Sequence, residues 1–169
     1  MTRRAGPTRR GIALIEAVMS MVVLSVALVA ALNTLGASRL GQRWNADHLR
    51  GLSLASDLMT EIMEKSYADP NEVPLFGPET SELLVGRAAF DDVDDYNGYQ
   101  DSPPVDRAGN AIAGLSGWRR DVTVAFVNAS DLTKSVLLDG GIKRITVTVR
   151  RNGQLIAQLT AVRTAAAPN

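Results

Sequence analysis

Residues 9–35, RRGIALIEAVMSMVVLSVALVAALNTL, determine how this chain is organised. Between residues 12 and 32 the run holds one charged residue, Glu16, and neither glycine nor proline. Roughly 20 apolar residues cross a bilayer as a helix, whereas the apolar core of a cleaved secretory signal usually has only about 7–15. The sequence therefore predicts a membrane-spanning helix over residues 12–35 that stays with the protein.

The leader before this run, residues 1–11, is basic and contains no acidic residue. Its four basic residues are Arg3, Arg4, Arg9 and Arg10. By the positive-inside rule the leader stays cytoplasmic, and the chain after residue 39 crosses to the other side. Without the leader, 14 of the 18 basic residues remain against all 18 acidic ones. This balance gives no sign of nucleic-acid binding, which needs a basic patch.

The second half of the predicted helix, residues 36–66, is amphipathic. Apolar side chains recur three or four residues apart and fall on one helical face, at Leu52, Ala55, Met59 and Ile62. Glycines such as Gly51 weaken this region as an isolated helix. Pro70 ends it, because proline disfavours helical geometry in the preceding residue. We therefore expect one helix from residue 12 to about 66, whose second half packs on a domain.

Alternating side chains predict strands in the last third of the chain. Apolar and polar residues alternate in RDVTVAFVN, residues 120–128, and in IKRITVTVR, residues 142–150. Asn152-Gly153 then predicts a tight hairpin turn into the strand QLIAQLTAV. The apolar face of such a sheet needs a cover, and the amphipathic half of the long helix can supply it. The predicted fold class is α+β, a long N-terminal helix packed on a small antiparallel sheet.

Three further regions complete the predicted organisation. Residues 67–117 form a loop-rich acidic region, since they contain five of the seven prolines. The antiparallel sheet covers residues 118–163. Residues 164–169 form a tail that we expect to be frayed.

Gly11 and Glu16 together predict processing. If a cytoplasmic-side peptidase cuts after Gly11, the mature chain begins at Ile12 and Glu16 becomes its fifth residue, one helical turn from the new amine. An acid alone at the centre of a membrane helix costs roughly 2.5–3.5 kcal/mol on insertion scales. Paired within one chain or between adjacent chains, the two charges neutralise each other and fix the alignment of stacked helices. The alternative is an uncut signal anchor.

The order of basic leader, glycine, apolar residue, glutamate and long apolar helix resembles the class III signal of type IV prepilins and pseudopilins. In that family a membrane aspartyl peptidase cuts after the glycine, and the new N-terminus is methylated. The resemblance implies that Gly11 precedes the cut, that Ile12 is the N-methylated residue and that Glu16 directs assembly. The implied partners are a prepilin peptidase/methyltransferase, other pilin or pseudopilin subunits and an inner-membrane assembly platform. The implied location is the inner membrane, single-pass with a periplasmic C-terminal domain, and then the filament.

The departures from this pattern favour a minor pilin or pseudopilin over a major subunit. Ile12 replaces the commonest phenylalanine, the apolar run lacks a kinking proline, and no cysteine is present for a C-terminal disulfide. FDDVDDYNGY (residues 90–99), GLSGWRRDVTV (114–124) and KRITVTVRRNGQLIA (143–157) are similar to minor pilins of the mannose-sensitive haemagglutinin type. The implied function is a minor pilin-like structural subunit of a type IV pilus or a type II secretion-like filament.

The acidic loop FDDVDDYNGYQDSPP, residues 90–104, offers oxygen ligands of the kind that Ca²⁺ binds. The candidate ligands are Asp92, Asp94 and Asp95. An EF-hand loop starting at Asp92 does not fit, because its sixth position is Asn97 rather than glycine and its twelfth is Pro103. The alternative is a solvated acidic turn with Tyr96 and Tyr99 packed beneath it. Calcium is the one cofactor left open.

Nothing in the sequence predicts catalysis. The absence of cysteine excludes thiol nucleophiles and thiolate metal sites, and no phosphate-binding loop is present. His48 is the one histidine, which predicts a helix-surface or domain-contact role. Arg119 and Arg120 predict charges that discourage pairing at a strand edge. The remaining alternative is a signal-anchored extracytoplasmic protein that binds calcium or another ligand and is not processed at Gly11.

Overall fold

The computed structural model describes residues 10–69 and 76–165. The elements in this part of the chain are α1 (Arg10–Met63), α2 (Thr80–Val85), a 3₁₀ helix (Asp94–Tyr96), β1 (Gln100–Asp101), β2 (Trp118–Asn128), β3 (Asp131–Ser135), β4 (Ile142–Arg151) and β5 (Gln154–Thr164). The chain divides into two compact units, an N-terminal unit (Met1–Asn45) and a C-terminal unit (Ala46–Asn169).

The α+β prediction is confirmed, because a long N-terminal helix packs against a small antiparallel sheet. The strand order is β1-β2-β4-β5, and β3 pairs with the end of β2. The predicted strands form β2, β4 and β5, and Asn152 and Gly153 make the β4–β5 turn with φ of 49° and 82°. Glycine and asparagine adopt such positive φ values more readily than other residues.

Two short elements, α2 and β1, lie inside the region predicted as loop. β1 has two residues and α2 has six. Neither is long enough for a period of 2 or 3.6 to be visible in the sequence. The long helix ends at Met63, a few residues before the predicted end.

The core of the C-terminal unit lies between the second half of α1 and the inner face of the sheet. The helix contributes Leu54, Ala55, Leu58, Met59 and Ile62, all buried. The sheet contributes Val122, Val124, Ile145, Val147, Val149 and Ile156. Burying one such side chain contributes about 1.5–3 kcal/mol, so packing rather than helix propensity stabilises this half of α1. Ala55, Met59 and Ile62 confirm the predicted face, and Leu52 is half-buried beside it.

Gly51 is required by this packing. A Cβ at position 51 would lie 2.7 Å from Ile156 Cγ2 and 3.1 Å from the Cβ of Ala157, so the helix approaches β5 through a glycine. The sequence indicated only that Gly51 weakens the helix. The structure shows that a Cβ at this position requires the side chain of Ile156 on β5 to shift.

We expect Gly51→Leu to lower the free energy of unfolding of the C-terminal unit by about 1–3 kcal/mol, the usual cost of overpacking. Urea unfolding of the full chain in detergent micelles, followed by circular dichroism, measures this loss. Gly41→Leu is the matched control, because a Cβ at Gly41 meets no atom within 4 Å. Equal stability of the two variants would contradict the close approach.

Candidate functional site

The first half of α1 is an exposed apolar surface. From Leu14 onward this helix is long and apolar enough to cross a membrane, and its most apolar stretch is entirely unburied within the described residues. Ser25 and Thr34 interrupt the run, but their hydroxyls donate to the carbonyls of Met21 (2.7 Å) and Ala30 (2.9 Å) one turn earlier. Such bonds satisfy hydroxyl groups that lipid cannot. The first half of α1 is therefore consistent with a single-pass membrane protein.

Glu16 is the one charge on this surface between residues 14 and 38. Its side chain is exposed, and no described residue forms an ion pair with it. The helix begins at Arg10, so the backbones of Gly11 and Ile12 lie in its first turn, while their side chains are outside the described part. A carboxylate in the apolar part of a membrane-crossing helix is costly without a counter-charge.

Most carboxylates of the acidic loop are buried, which makes the expectation of a solvated acidic turn wrong at those positions. Asp92, Asp94 and Asp95 are 2%, 3% and 2% exposed. Hydrogen bonds from backbone amides offset the cost of burying two of these carboxylates. Asp92 Oδ1 accepts from the amides of Asp94 (2.7 Å) and Asp95 (3.3 Å), and Asp95 Oδ2 accepts from those of Asp91 (3.0 Å) and Asp92 (2.9 Å). These bonds fix the 3₁₀ helix at the start of which they lie.

The carboxylate of Asp94 points elsewhere, toward β4. Its Oδ1 accepts from Lys143 Nζ, and its Oδ2 accepts from the amide of Gly77 at 3.2 Å. Lys143 also donates to the Tyr67 carbonyl, and its ammonium lies 4.4 Å from the centre of the Tyr67 ring. Asp94 and Lys143 therefore form a buried ion pair that ties the acidic loop to the sheet.

The structure does not gather Asp92, Asp94 and Asp95 into one ligand set. Among the described residues, the carboxylates with oxygens close enough for a single ion are Asp95, Glu79 and Glu82, within 4.8 Å of one another. The calcium site stays a prediction. No sequence pattern indicated Glu79 or Glu82, because both precede the acidic run and approach it only through the fold of α2.

Crowding raises the pKa of several of these carboxyls. Burial, followed by the neighbouring Glu79 and Asp95, raises the pKa of Glu82 to about 8. Burial and the adjacent Asp94 raise the pKa of Asp92 to about 7. Burial also raises the pKa of Asp95, although backbone amides act against it. The loop therefore binds protons more tightly when folded than when unfolded.

We expect the C-terminal unit to lose stability as the pH rises from about 5 to 8. Glu82 has a folded pKa of about 8, above its ordinary value of 4.5, so the folded chain keeps a proton that the unfolded chain releases between these values. The free energy of unfolding falls with rising pH wherever the folded state binds more protons than the unfolded state.

Thermal unfolding of the full chain across this pH range measures the loss, and Glu82→Gln is expected to reduce it. Exposed Asp57, on α1, provides the control Asp57→Asn. A stability that rises with pH in the wild-type chain would contradict the assignment. Repeating the series with millimolar calcium tests the calcium prediction, since a bound cation would displace the protons and stabilise the unit most at the higher pH.

A buried ion-pair network ties the acidic region to α1. Arg87 donates to both carboxylate oxygens of Glu61, through Nε at 2.7 Å to Oε1 and through a second nitrogen to Oε2. The hydroxyl of Tyr96 donates to Glu61 Oε1 at 2.9 Å. Burial raises the pKa of Glu61, but the bonds from Arg87 and Tyr96 lower it more, and the net pKa lies below its ordinary value. The predicted packing of Tyr96 is confirmed, and Tyr99 packs beside it, partly buried.

Arg120 continues this network into the sheet, which makes the strand-edge interpretation of Arg120 wrong, whereas Arg119 is exposed. β2 is an interior strand, between β1 and β4, and Arg120 is 2% exposed on its inner face. Its Nε donates to Asp101 at 3.0 and 3.2 Å, and it also donates to the Val105 carbonyl at 2.6 Å. Charges at inward-facing positions of an alternating strand, here and at Lys143, are the signal that could have predicted buried pairs.

His48 contacts the domain, as the sequence predicted. Its Nδ1 lies 2.8 Å from the carbonyl of Ile156, a polar contact between α1 and β5. The neighbouring Asp47 accepts from Arg151 at 2.5 and 2.6 Å, and the Arg151 guanidinium lies 5.4 Å from the centre of the Trp118 ring. These contacts hold α1 against the β4–β5 hairpin.

No protein-family model matches this chain, and neither do any of the curated proteins or solved structures with which it was compared.

Proposed function

We propose that this chain is a minor pilin-like, or pseudopilin-like, structural subunit of a type IV pilus or a type II secretion-like filament. Its leader is removed after Gly11, Ile12 becomes the methylated N-terminus, and the exposed half of α1 packs among equivalent helices in the filament. The C-terminal unit remains outside that helical core. The partners are a prepilin peptidase/methyltransferase, other subunits of the same class and an inner-membrane assembly platform.

The observation that carries this proposal is Glu16, an exposed carboxylate on an otherwise apolar and exposed helix. Its position, fifth from Ile12, places it one helical turn from the amine that cleavage would create. Lipid alone gives an acid at this position no counter-charge. A neighbouring helix with a free N-terminal amine supplies one, and the pairing also sets the register between helices.

The α+β arrangement supports the proposal in a second way. A helix that is exposed and apolar in its first half and packed on a sheet in its second can enter a membrane or a helical filament without disturbing the folded domain. The core of the C-terminal unit is built from residues after Ala46 and does not need the first half of α1.

Cell fractionation tests the proposal. In cells with a complete filament assembly system, the wild-type chain is expected in the sheared filament fraction, and the Gly11→Val variant is expected to remain in the membrane. Gly36→Val is the matched control, because a Cβ at Gly36 meets no atom within 4 Å. Recovery of Gly11→Val in filaments would contradict the need for cleavage after Gly11, and absence of the wild-type chain from filaments would favour the unprocessed anchor.

A further inference from the structure

The outer face of the sheet carries a groove of about 640 Å³ with an unbalanced positive charge. Arg119, Arg150 and Asp121 are its charged residues, and Thr123 and Thr148 continue its lining along the strands. These residues alternate with the buried ones on β2 and β4, so they lie on the side of the sheet opposite the core. We call this surface the basic groove.

Two arginines face each other in the basic groove. Arg119 and Arg150 lie directly opposite each other on β2 and β4. Two like charges at such a cross-strand pair repel each other and are destabilising. Asp121 Oδ1 accepts from Arg119 Nε at 2.7 Å and so neutralises one of them. Arg150 has no hydrogen bond or ion pair with any described residue. The groove therefore presents one uncompensated guanidinium to a ligand from outside.

The chemistry of the groove favours a carboxylate over other anions. A guanidinium binds a carboxylate through two parallel hydrogen bonds. A phosphate polymer would need several cations, whereas Asp121 leaves this groove a surplus of a single positive charge. The backbones of β2 and β4 are already paired within the sheet, so an extended peptide cannot bind here by adding a strand. Side-chain carboxylates on a folded surface fit these limits.

The same unit offers such a surface. A second groove, of about 330 Å³, is lined by Asp69, Glu79, Ser81, Glu82 and Asp91, among others. Partial burial and then the charges of Asp69, Asp95 and Glu79 raise the pKa of Asp91 and outweigh the opposing charge of Lys65, so Asp91 is repelled by its acidic neighbours. An arriving guanidinium would relieve that repulsion. The acidic and basic grooves share no residue.

We propose that the basic groove of one copy binds the acidic groove of a second copy, with Arg150 placed among the carboxylates. Because two different surfaces meet, the contact is heterologous, and it joins copies head to tail rather than as a closed two-fold dimer. The contact adds a link between C-terminal units to the proposed function. Its place in a filament rests on that proposed function. Both grooves lie after Ala46, so the contact itself does not require cleavage at Gly11.

The absence of cysteine from the chain allows a direct test by disulfide cross-linking. Thr148→Cys marks the basic groove and Ser81→Cys marks the acidic groove. The two full-length variants, with different tags, are co-expressed in membranes without a prepilin peptidase and then oxidised. We expect the Thr148–Ser81 heterodimer to exceed either homodimer by about tenfold, the ratio that a specific contact of modest strength gives. Leu137→Cys, at a position 97% exposed, controls for random collision.

Charge reversal separates this contact from general crowding. Arg150→Glu in the Thr148→Cys chain is expected to abolish the heterodimer, and so is Asp91→Arg in the Ser81→Cys chain. The two reversals together are expected to restore it. The side chains of Arg150 and Asp91 form no hydrogen bonds with described residues, so their replacement should not disturb the fold. Circular dichroism checks that each variant folds.

Equal cross-linking of all pairs, including those with Leu137→Cys, would overturn the inference, and so would failure of the combined reversal to restore the heterodimer. These outcomes are independent of the proposed function, because the chain is unprocessed throughout. A mature chain that begins at Ile12 but gives no heterodimer would remove this contact and leave the filament proposal standing.

Discussion

Replacing Asp101 with alanine is expected to destabilise the C-terminal unit by about 3–5 kcal/mol, the cost of leaving a buried charge without its partner. Arg120 would keep its position on the inner face of β2, 2% exposed, after losing the carboxylate that accepts from its Nε at 3.0 and 3.2 Å. Small domains are stable by only about 5–15 kcal/mol, so this loss is roughly a fifth or more of the total. Urea unfolding of the full chain in detergent micelles measures it.

An exposed ion pair on the same unit provides the control. Glu64 accepts two hydrogen bonds from Arg107, at 2.7 and 2.9 Å, but the two side chains are 55% and 58% exposed. Glu64→Ala is therefore expected to cost much less than Asp101→Ala, because exposed ion pairs contribute little to stability. Replacing both buried partners, as Asp101→Leu with Arg120→Met, is expected to recover most of the loss, because no unpaired charge remains. Equal effects of Asp101→Ala and Glu64→Ala would contradict the role given to the buried pair.

Replacing Glu16 with glutamine is expected to reduce incorporation into filaments at least about tenfold while membrane insertion and leader cleavage continue. The substitution removes a charge from the apolar part of the helix, where charges disfavour insertion, so it should remove only the pairing with a neighbouring amine. Quantitative immunoblots of the filament and membrane fractions measure the ratio.

Asp57→Asn, at an exposed acid in the second half of α1, is the matched control and is expected to leave incorporation unchanged. The prediction fails if Glu16→Gln enters filaments as well as the wild-type chain does. It also fails if the variant is lost from the membrane fraction, since Glu16 would then act at an earlier step than assembly.

The parts of the fold that the sequence could predict are those with long, regular patterns. The apolar run gave α1, and alternation gave β2, β4 and β5, because each pattern extends over many residues. Asn152-Gly153 gave the hairpin because few residues adopt the positive φ that its turn requires. The sheet then needed a cover, and the amphipathic half of α1 was the available helix.

The buried polar contacts could not be predicted in the same way. Arg120 and Lys143 stand at inward-facing positions of their strands, so the sequence could have indicated that they are buried. It could not indicate that Asp101 and Asp94 are their partners, because those residues lie in β1 and the 3₁₀ helix, which are too short to be recognised from a sequence pattern. For the same reason the sequence left the acidic loop open to two interpretations, a metal site and a solvated turn. It could not indicate in advance that carboxylates of this loop are buried.

The most direct test of the filament account is the N-terminus of the membrane-inserted protein, determined by intact mass and peptide sequencing with the prepilin peptidase present and absent. We expect that with the peptidase the chain begins at Ile12 and carries one added methyl group, and that without it the chain retains residues 1–11. A chain that keeps its leader in the presence of the peptidase, or that is cut after the apolar run, would contradict the account and leave residues 12–32 as an anchor or a signal.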